Sequence, residues 1–194
     1  MKYFIANWKA NKNLVETKSW VNEFFEKFDQ DLKTKQKLLD DYIKIIICPP
    51  FPLLYPLKEL LNERKNIFVG CQDISSIEGG TYTGEVPAHS LESIVEYAII
   101  GHSERKKYLH ETADDVTKKY AISRGDGRGN NIPSVEIIEV RNRMKLPEGA
   151  KFIYGGSINK DNVGEYLQHE EIDGFLSGGA SLDPLHFYTM ISLS

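Results

Sequence analysis

Short apolar runs alternate with amphipathic stretches along most of this chain, and that alternation limits the possible folds more than any single residue does. Runs at residues 3–6, 42–48, 66–71, 97–101, 151–154 and 174–176 have strand length. They are nearly continuously apolar, the pattern of strands buried on both faces. Residues 19–35 carry Trp20, Val21, Phe24, Phe25 and Phe28 at helical spacing. Residues 54–65, 90–96, 114–121, 160–168 and 183–193 read as further helices. Repeated strand–helix units of this kind imply an α/β fold on a parallel sheet. Six strands are expected, four before residue 123 and two after it.

The alternation fails once. Residues 123–131 (SRGDGRGNN) are polar and carry three glycines. A helix over residues 133–145 is expected directly afterwards, with Pro133 in its first turn. The tripeptide Arg124-Gly125-Asp126 reads as part of a flexible joint rather than as an adhesion motif. No other linker interrupts the chain, so residues 1–194 are expected to form one domain. That length supports one substantial core.

Composition narrows the partners. A formal net charge of −4 argues against a nucleic-acid partner, which needs a broad basic face, but leaves room for a local phosphate site. Cys48 and Cys71 sit in apolar runs without a second cysteine or a histidine at metal-ligand spacing. They read as reduced core residues, and no metal is expected. No window reaches the roughly 18 apolar residues of a membrane span. The apolar run at the N-terminus is too short for a signal-peptide core. A cytoplasmic protein without a membrane partner is expected.

Three features bear on chemistry. His102 follows a strand that ends in Gly101, and α/β folds place their sites at the C-terminal ends of strands. A nearby helix N-terminus would keep its ring neutral, and a neutral ring still donates an N–H to a carbonyl oxygen. Taken alone, such a histidine reads more readily as one that merely caps or packs. Gly155-Gly156-Ser157 and Gly178-Gly179-Ala180-Ser181 follow the last two strands. Glycines there let backbone N–H groups approach an anion. Either pair alone would read as a tight turn. Together they favour phosphate, which barrels commonly bind in their last two loops. Lys9 lies just past the first strand, two residues after Asn7, where it can pair with a phosphate or a carbonyl oxygen, although alone it reads more readily as a solvated lysine.

Asn7-Trp8-Lys9, the loop at 79–86 (GGTYTGEV), the run at 99–105 (IIGHSER), Tyr154-Gly155-Gly156-Ser157 and Ser177-Gly178-Gly179-Ala180-Ser181 occur together and in this order. Over residues 1–121 and about 130–194 the chain thereby resembles the triosephosphate isomerase family. The resemblance implies a (β/α) barrel that interconverts dihydroxyacetone phosphate and glyceraldehyde 3-phosphate, a step of glycolysis and gluconeogenesis, with no cofactor or metal. It implies that Asn7 and Lys9 hold the substrate and that His102 polarises its carbonyl. It gives Glu104 the support of Lys9, and Ser157, Gly178 and Gly179 the phosphate. Thr83 would reach toward a second subunit, so a homodimer or higher homo-oligomer is implied. The pairing of a glutamate base with a neutral histidine belongs to that family's known chemistry and is not read from these residues.

The chain departs from the family pattern in its middle. The family's general base is a glutamate in a run like YEPVWAIGTG, and no such run is present. A barrel of this kind has about 250 residues, so a chain of 194 is about 55 short. At about 30 residues per βα unit, roughly two units are missing, with the junction at about 122–131. Six strands cannot close with the tilt and shear of eight. The expected fold is therefore a TIM-barrel-derived parallel βα repeat of about six strands, either closed and distorted or incomplete. Loss of a general base costs about 10²–10⁴-fold in rate. The expectation is a triosephosphate isomerase homologue with weak or no turnover that still takes a triose phosphate, phosphate or sulfate anion. One alternative is a non-catalytic phosphate-binding or scaffold protein. Another is an isomerase whose base comes from a partner chain or from a repositioned carboxylate such as Glu104 or Glu85.

Overall fold

The structure, a computed structural model, describes residues 1–62, 64–123, 134–136 and 151–194. Its strands are β1 (Lys2–Asn7), β2 (Ile43–Cys48), β3 (Ile67–Cys71), β4 (Tyr97–Ile100), β5 (Ser134–Glu136), β6 (Ile153–Tyr154) and β7 (Gly174–Ser177). They form one sheet in the order β5-β4-β3-β2-β1-β7-β6. Every pairing is parallel. The first strand is interior, flanked by β2 (Phe4 opposite Ile45) and by β7 (Phe4 opposite Phe175).

The strand period of two sorts the side chains into two cores. Phe4, Ala6, Ile45, Ile47, Val69 and Phe175 face the helices. Ile5, Ile46, Cys48, Ile99, Ile153 and Leu176 form a second, smaller cluster on the other face. Ile99 and Ile153 belong to strands five places apart in the sheet. In a flat sheet they would stand about 24 Å apart. Their common cluster requires a curled sheet whose concave face is filled with side chains. Among the described residues no pairing joins β5 to β6, so this is the incomplete form of the barrel.

All six expected strands are present, and β5 is an addition. It lies within a span expected to be helical. Ser134, Val135 and Glu136 instead pair with Ala98, Ile99 and Ile100. The cause is the edge of β4, whose unpaired backbone groups take an extended segment as partner. The rest of the expected helix at 133–145, and the junction from residue 124 onward, lie outside the described residues.

The helices differ from their expected spans where caps intervene. The Asn13 side chain accepts the Val15 and Glu16 N–H groups, and Glu16 returns a bond to the Asn13 backbone. This capping box starts α1 (Leu14–Phe28) earlier than hydrophobic periodicity suggests. Asp31 then accepts the Thr34 N–H at 3.1 Å and opens a separate helix, α2 (Leu32–Leu39). The single helix expected at 19–35 is thus two. Helix α3 (Leu54–Leu60) ends sooner than expected. Residues 90–96 do not form an α-helix: a 3₁₀ turn at Ala88–Ser90 continues into turns. Helices α4 (Ser103–Tyr108), α5 (Ala113–Ser123), α6 (Val163–Tyr166) and α7 (Pro184–Ser192) complete the set. Phe24, Trp20 and Phe187 stack between α1 and α7 over the central strands.

Candidate functional site

Asn7 ends β1 and is buried. Its Oδ1 accepts the Lys9 N–H at 3.0 Å, which turns the chain sharply. Lys9 takes the left-handed conformation in that turn, with φ of 53°. Gln72, just past β3, braces the turn from the side. Its Nε2 donates to the Lys9 carbonyl at 2.9 Å and to the Cys48 carbonyl at 2.8 Å. The Lys9 side chain then spans the end of the sheet, and its Nζ donates to Glu104 Oε1 at 2.6 Å. A Cβ on Gly178 would stand 3.0 Å from Lys9 Cε, so the lysine stem passes close over the second glycine loop.

His102 is itself the N-cap of α4. Its Nδ1 accepts the Glu104 backbone N–H at 3.2 Å. A neutral ring that accepts at Nδ1 carries its proton on Nε2, the tautomer able to donate to a carbonyl oxygen. Glu104 sits in the first turn of the helix, where a carboxylate suits the dipole. The hydrogen bond from Lys9 holds its carboxyl below the ordinary value, against a smaller opposing effect of burial.

The two glycine loops form the opposite wall. Gly155, Gly156 and Ser157 are exposed. Gly178 and Gly179 begin a 3₁₀ turn whose Ser181 hydroxyl donates to the Ser177 carbonyl at 2.9 Å. Trp20 Nε1 donates to the Ser181 carbonyl at 3.0 Å, tying this loop to α1. Lys9, His102, Ser157, Gly178 and Gly179 all line one open cleft of about 340 Å³. The structure therefore brings five of the singled-out residues to one place. Asn7 supports the Lys9 turn, and Glu104 adjoins Lys9. Thr83 lies elsewhere, on an exposed loop. Glu85 accepts from the Ser75 hydroxyl at 2.6 Å at the base of that same loop.

Beside the cleft lies a charged cluster that sequence reading missed. Lys119 Nζ donates to both carboxylate oxygens of Asp73 at 2.7 Å and also to Glu111. Arg105 pairs with Asp73 at 2.8 Å and with Glu111 at 3.2 Å. The Lys119 and Glu111 side chains are only 6% and 4% exposed. Burial lifts the Asp73 carboxyl above its ordinary value, while Lys119 and Arg105 pull it down. The cluster fastens α4 and α5 to the loop after β3. In sequence these residues look like ordinary solvated charges. For Gln72 a signal did exist, since it directly follows a strand.

Among the described residues no group of three or more His, Cys, Asp or Glu side chains is placed to hold a metal ion. Cys48 and Cys71 are free and buried, and burial pushes the Cys71 thiol up to about 12. Among the described residues no helix is long and apolar enough to cross a membrane.

Comparison with known proteins adds an independent line. A family model described as triosephosphate isomerase matches residues 2–128 and 134–194, leaving 129–133 between the two segments. The triosephosphate isomerase of Dictyoglomus thermophilum is 28% identical over 254 aligned positions, spanning 98% of each chain. That of Mycoplasma pneumoniae is 29% identical over 248 positions, spanning 97% of each. That of Aquifex aeolicus is 26% identical over 248 positions, spanning 96% of each. The first alignment is longer than the 194-residue chain, so at least 60 of its positions (254 less 194) face no residue here.

Proposed function

Because the chain belongs to the triosephosphate isomerase family, we propose that its cleft takes a triose phosphate and keeps the anion-binding and carbonyl-polarising half of an isomerase site without the base. Lys9 and Asn7 hold the substrate, His102 donates from Nε2 to its carbonyl oxygen, and Glu104 fixes Lys9. Ser157, Gly178 and Gly179 bind the phosphate through backbone and hydroxyl donors. The observation that carries this reading is the meeting of Lys9, His102 and both glycine loops around one cleft.

The segment that would hold the base is absent in this reading. The surplus of alignment positions and the unmatched residues 129–133 support a loss from the middle of the chain. Glu104 and Glu85 are poor substitutes, since Glu104 is committed to Lys9 and Glu85 to Ser75. Turnover is therefore weak or absent, and the protein acts as a phosphate-binding relative of the enzyme. A homodimer forms through the loop of Thr83, a reading supported by the 56% exposure of the neighbouring Tyr82. The family resemblance supports a cytoplasmic setting.

The test is turnover of glyceraldehyde 3-phosphate by the purified chain, with His102→Ala as control, alongside titration with inorganic phosphate. Phosphate binding with no turnover is the expected result. Turnover at the rate of an ordinary isomerase, abolished in the control, would show that a base is supplied from elsewhere. No phosphate binding would leave only a scaffold.

A further inference from the structure

The cleft wall is built from two loops that are far apart in sequence, and one side chain joins them from outside. The first loop continues from Ser157 through Ile158 and Asn159, which also line the cleft. It is internally braced: Asn162 Nδ2 donates to the Ser157 carbonyl at 2.8 Å, and its Oδ1 accepts the Asn159 N–H at 2.9 Å. The Asp161 N–H donates to Asn159 Oδ1 at 2.8 Å. Residues 157–162 therefore move as a unit, and a shift at Lys160 reaches Ser157. The second loop leads into α7, whose N-cap Asp183 accepts the His186 N–H at 2.7 Å. The Lys160 backbone N–H donates to His186 Nε2 at 2.9 Å.

We propose that His186 is a positioning residue of the anion cleft: its Nε2 clasps the first glycine loop to the helix that follows the second, and protonation of the ring opens that clasp. The proposal rests on the reading that the cleft binds a phosphate-like anion. His186 touches no part of the cleft itself in this role; it acts through Lys160. Nε2 can accept only while unprotonated, so the neutral ring carries its proton on Nδ1. Around the ring, Asp183 on its own helix caps the His186 backbone N–H, Lys160 on the loop meets Nε2 through its backbone N–H, and the Asp161 carboxylate on the same loop lies within electrostatic reach. Once both nitrogens carry protons both are donors, the Lys160 N–H loses its acceptor, and the two loops are free to separate.

The probe is sulfate, which keeps one charge state across the range, titrated calorimetrically into the wild-type chain, His186→Ala and His186→Gln at pH 7.5 and 5.5. A glutamine Oε1 can stand near the position of Nε2 and accepts at both pH values. At pH 7.5 His186→Ala is expected to bind about three- to tenfold more weakly, the range of one lost hydrogen bond, and His186→Gln to bind like wild type. At pH 5.5 the wild type is expected to fall below His186→Gln by a similar factor. His102 is present in both proteins, so only the difference between them is read. Equal pH dependence in wild type and His186→Gln, or unchanged affinity in His186→Ala, would overturn the clasp alone. No sulfate binding by the wild type would overturn the cleft reading and the clasp with it. Should His186→Ala not fold, the comparison of wild type with His186→Gln decides.

Discussion

Lys9 Nζ lies 2.6 Å from Glu104 Oε1, so the turn after the first strand is bonded to the first turn of the helix after the fourth. Both side chains are partly exposed, at 39% and 43%. The pair is therefore screened, and its contribution to folding is at most about 1 kcal/mol. Glu104→Gln is expected to lower stability by no more than that in urea unfolding at pH 7. The Glu104 carboxyl is held below its unfolded value of 4.5. A carboxyl with a depressed folded value adds stability that is present above the unfolded value and lost as pH falls through the folded one. The difference between wild type and variant should vanish over that acid window, read from unfolding midpoints between pH 5 and pH 3.

Lys9→Met removes the cation from the cleft while keeping much of the stem that crosses Gly178. A hydrogen bond to a charged group contributes about 1.5–3 kcal/mol. Sulfate or phosphate affinity is expected to fall at least about tenfold, with a thermal midpoint close to wild type. Calorimetric titration beside a melting curve separates the two effects.

Lys119→Met leaves Asp73 and Glu111 buried without their shared ammonium. Breaking one side of a buried charged cluster costs about 3–5 kcal/mol. Chemical denaturation should show a loss of that size. Lys118→Met, one residue away and exposed, pairs only with Asp114 among the ion pairs described and should cost less than about 1 kcal/mol.

Gly174→Ala tests the closeness of β1 and β7. The new Cβ would stand 2.4 Å from the Tyr3 carbonyl oxygen and 2.6 Å from the Tyr3 Cβ. Neither atom can swing away, because Tyr3 is paired in an interior strand. Overpacking of this kind costs about 1–3 kcal/mol. A smaller loss in urea unfolding would mean that the two strands part more easily than their pairing suggests.

Much of this was legible in the sequence, for identifiable reasons. Strands buried on both faces announce themselves as apolar runs, which is why Ile43–Cys48 and Ile67–Cys71 stand within a residue of their expected positions. Gly155, Gly178 and His102 follow strands, and strand ends converge on one side of a parallel sheet. Helix limits were harder. Asn13 and Asp31 set them through local capping hydrogen bonds that carry no periodic signal. The segment Ser134–Glu136 follows a proline and looks like a helix start, but an open sheet edge claimed it. The cluster of Asp73, Arg105, Glu111 and Lys119 was invisible for another reason. Its burial comes from how α4, α5 and the loop after β3 pack together, and no local pattern encodes that.

The pairing of Tyr3 with Gly174 places the first strand in chain order beside the last, inside the sheet. A ribosome releases the first strand long before the last one exists. Until then β1 has β2 on one side and bare backbone on the other, a surface that invites wrong partners. The nascent protein is expected to need shelter until β7 has been made, and removing β7 would turn an interior strand into an edge.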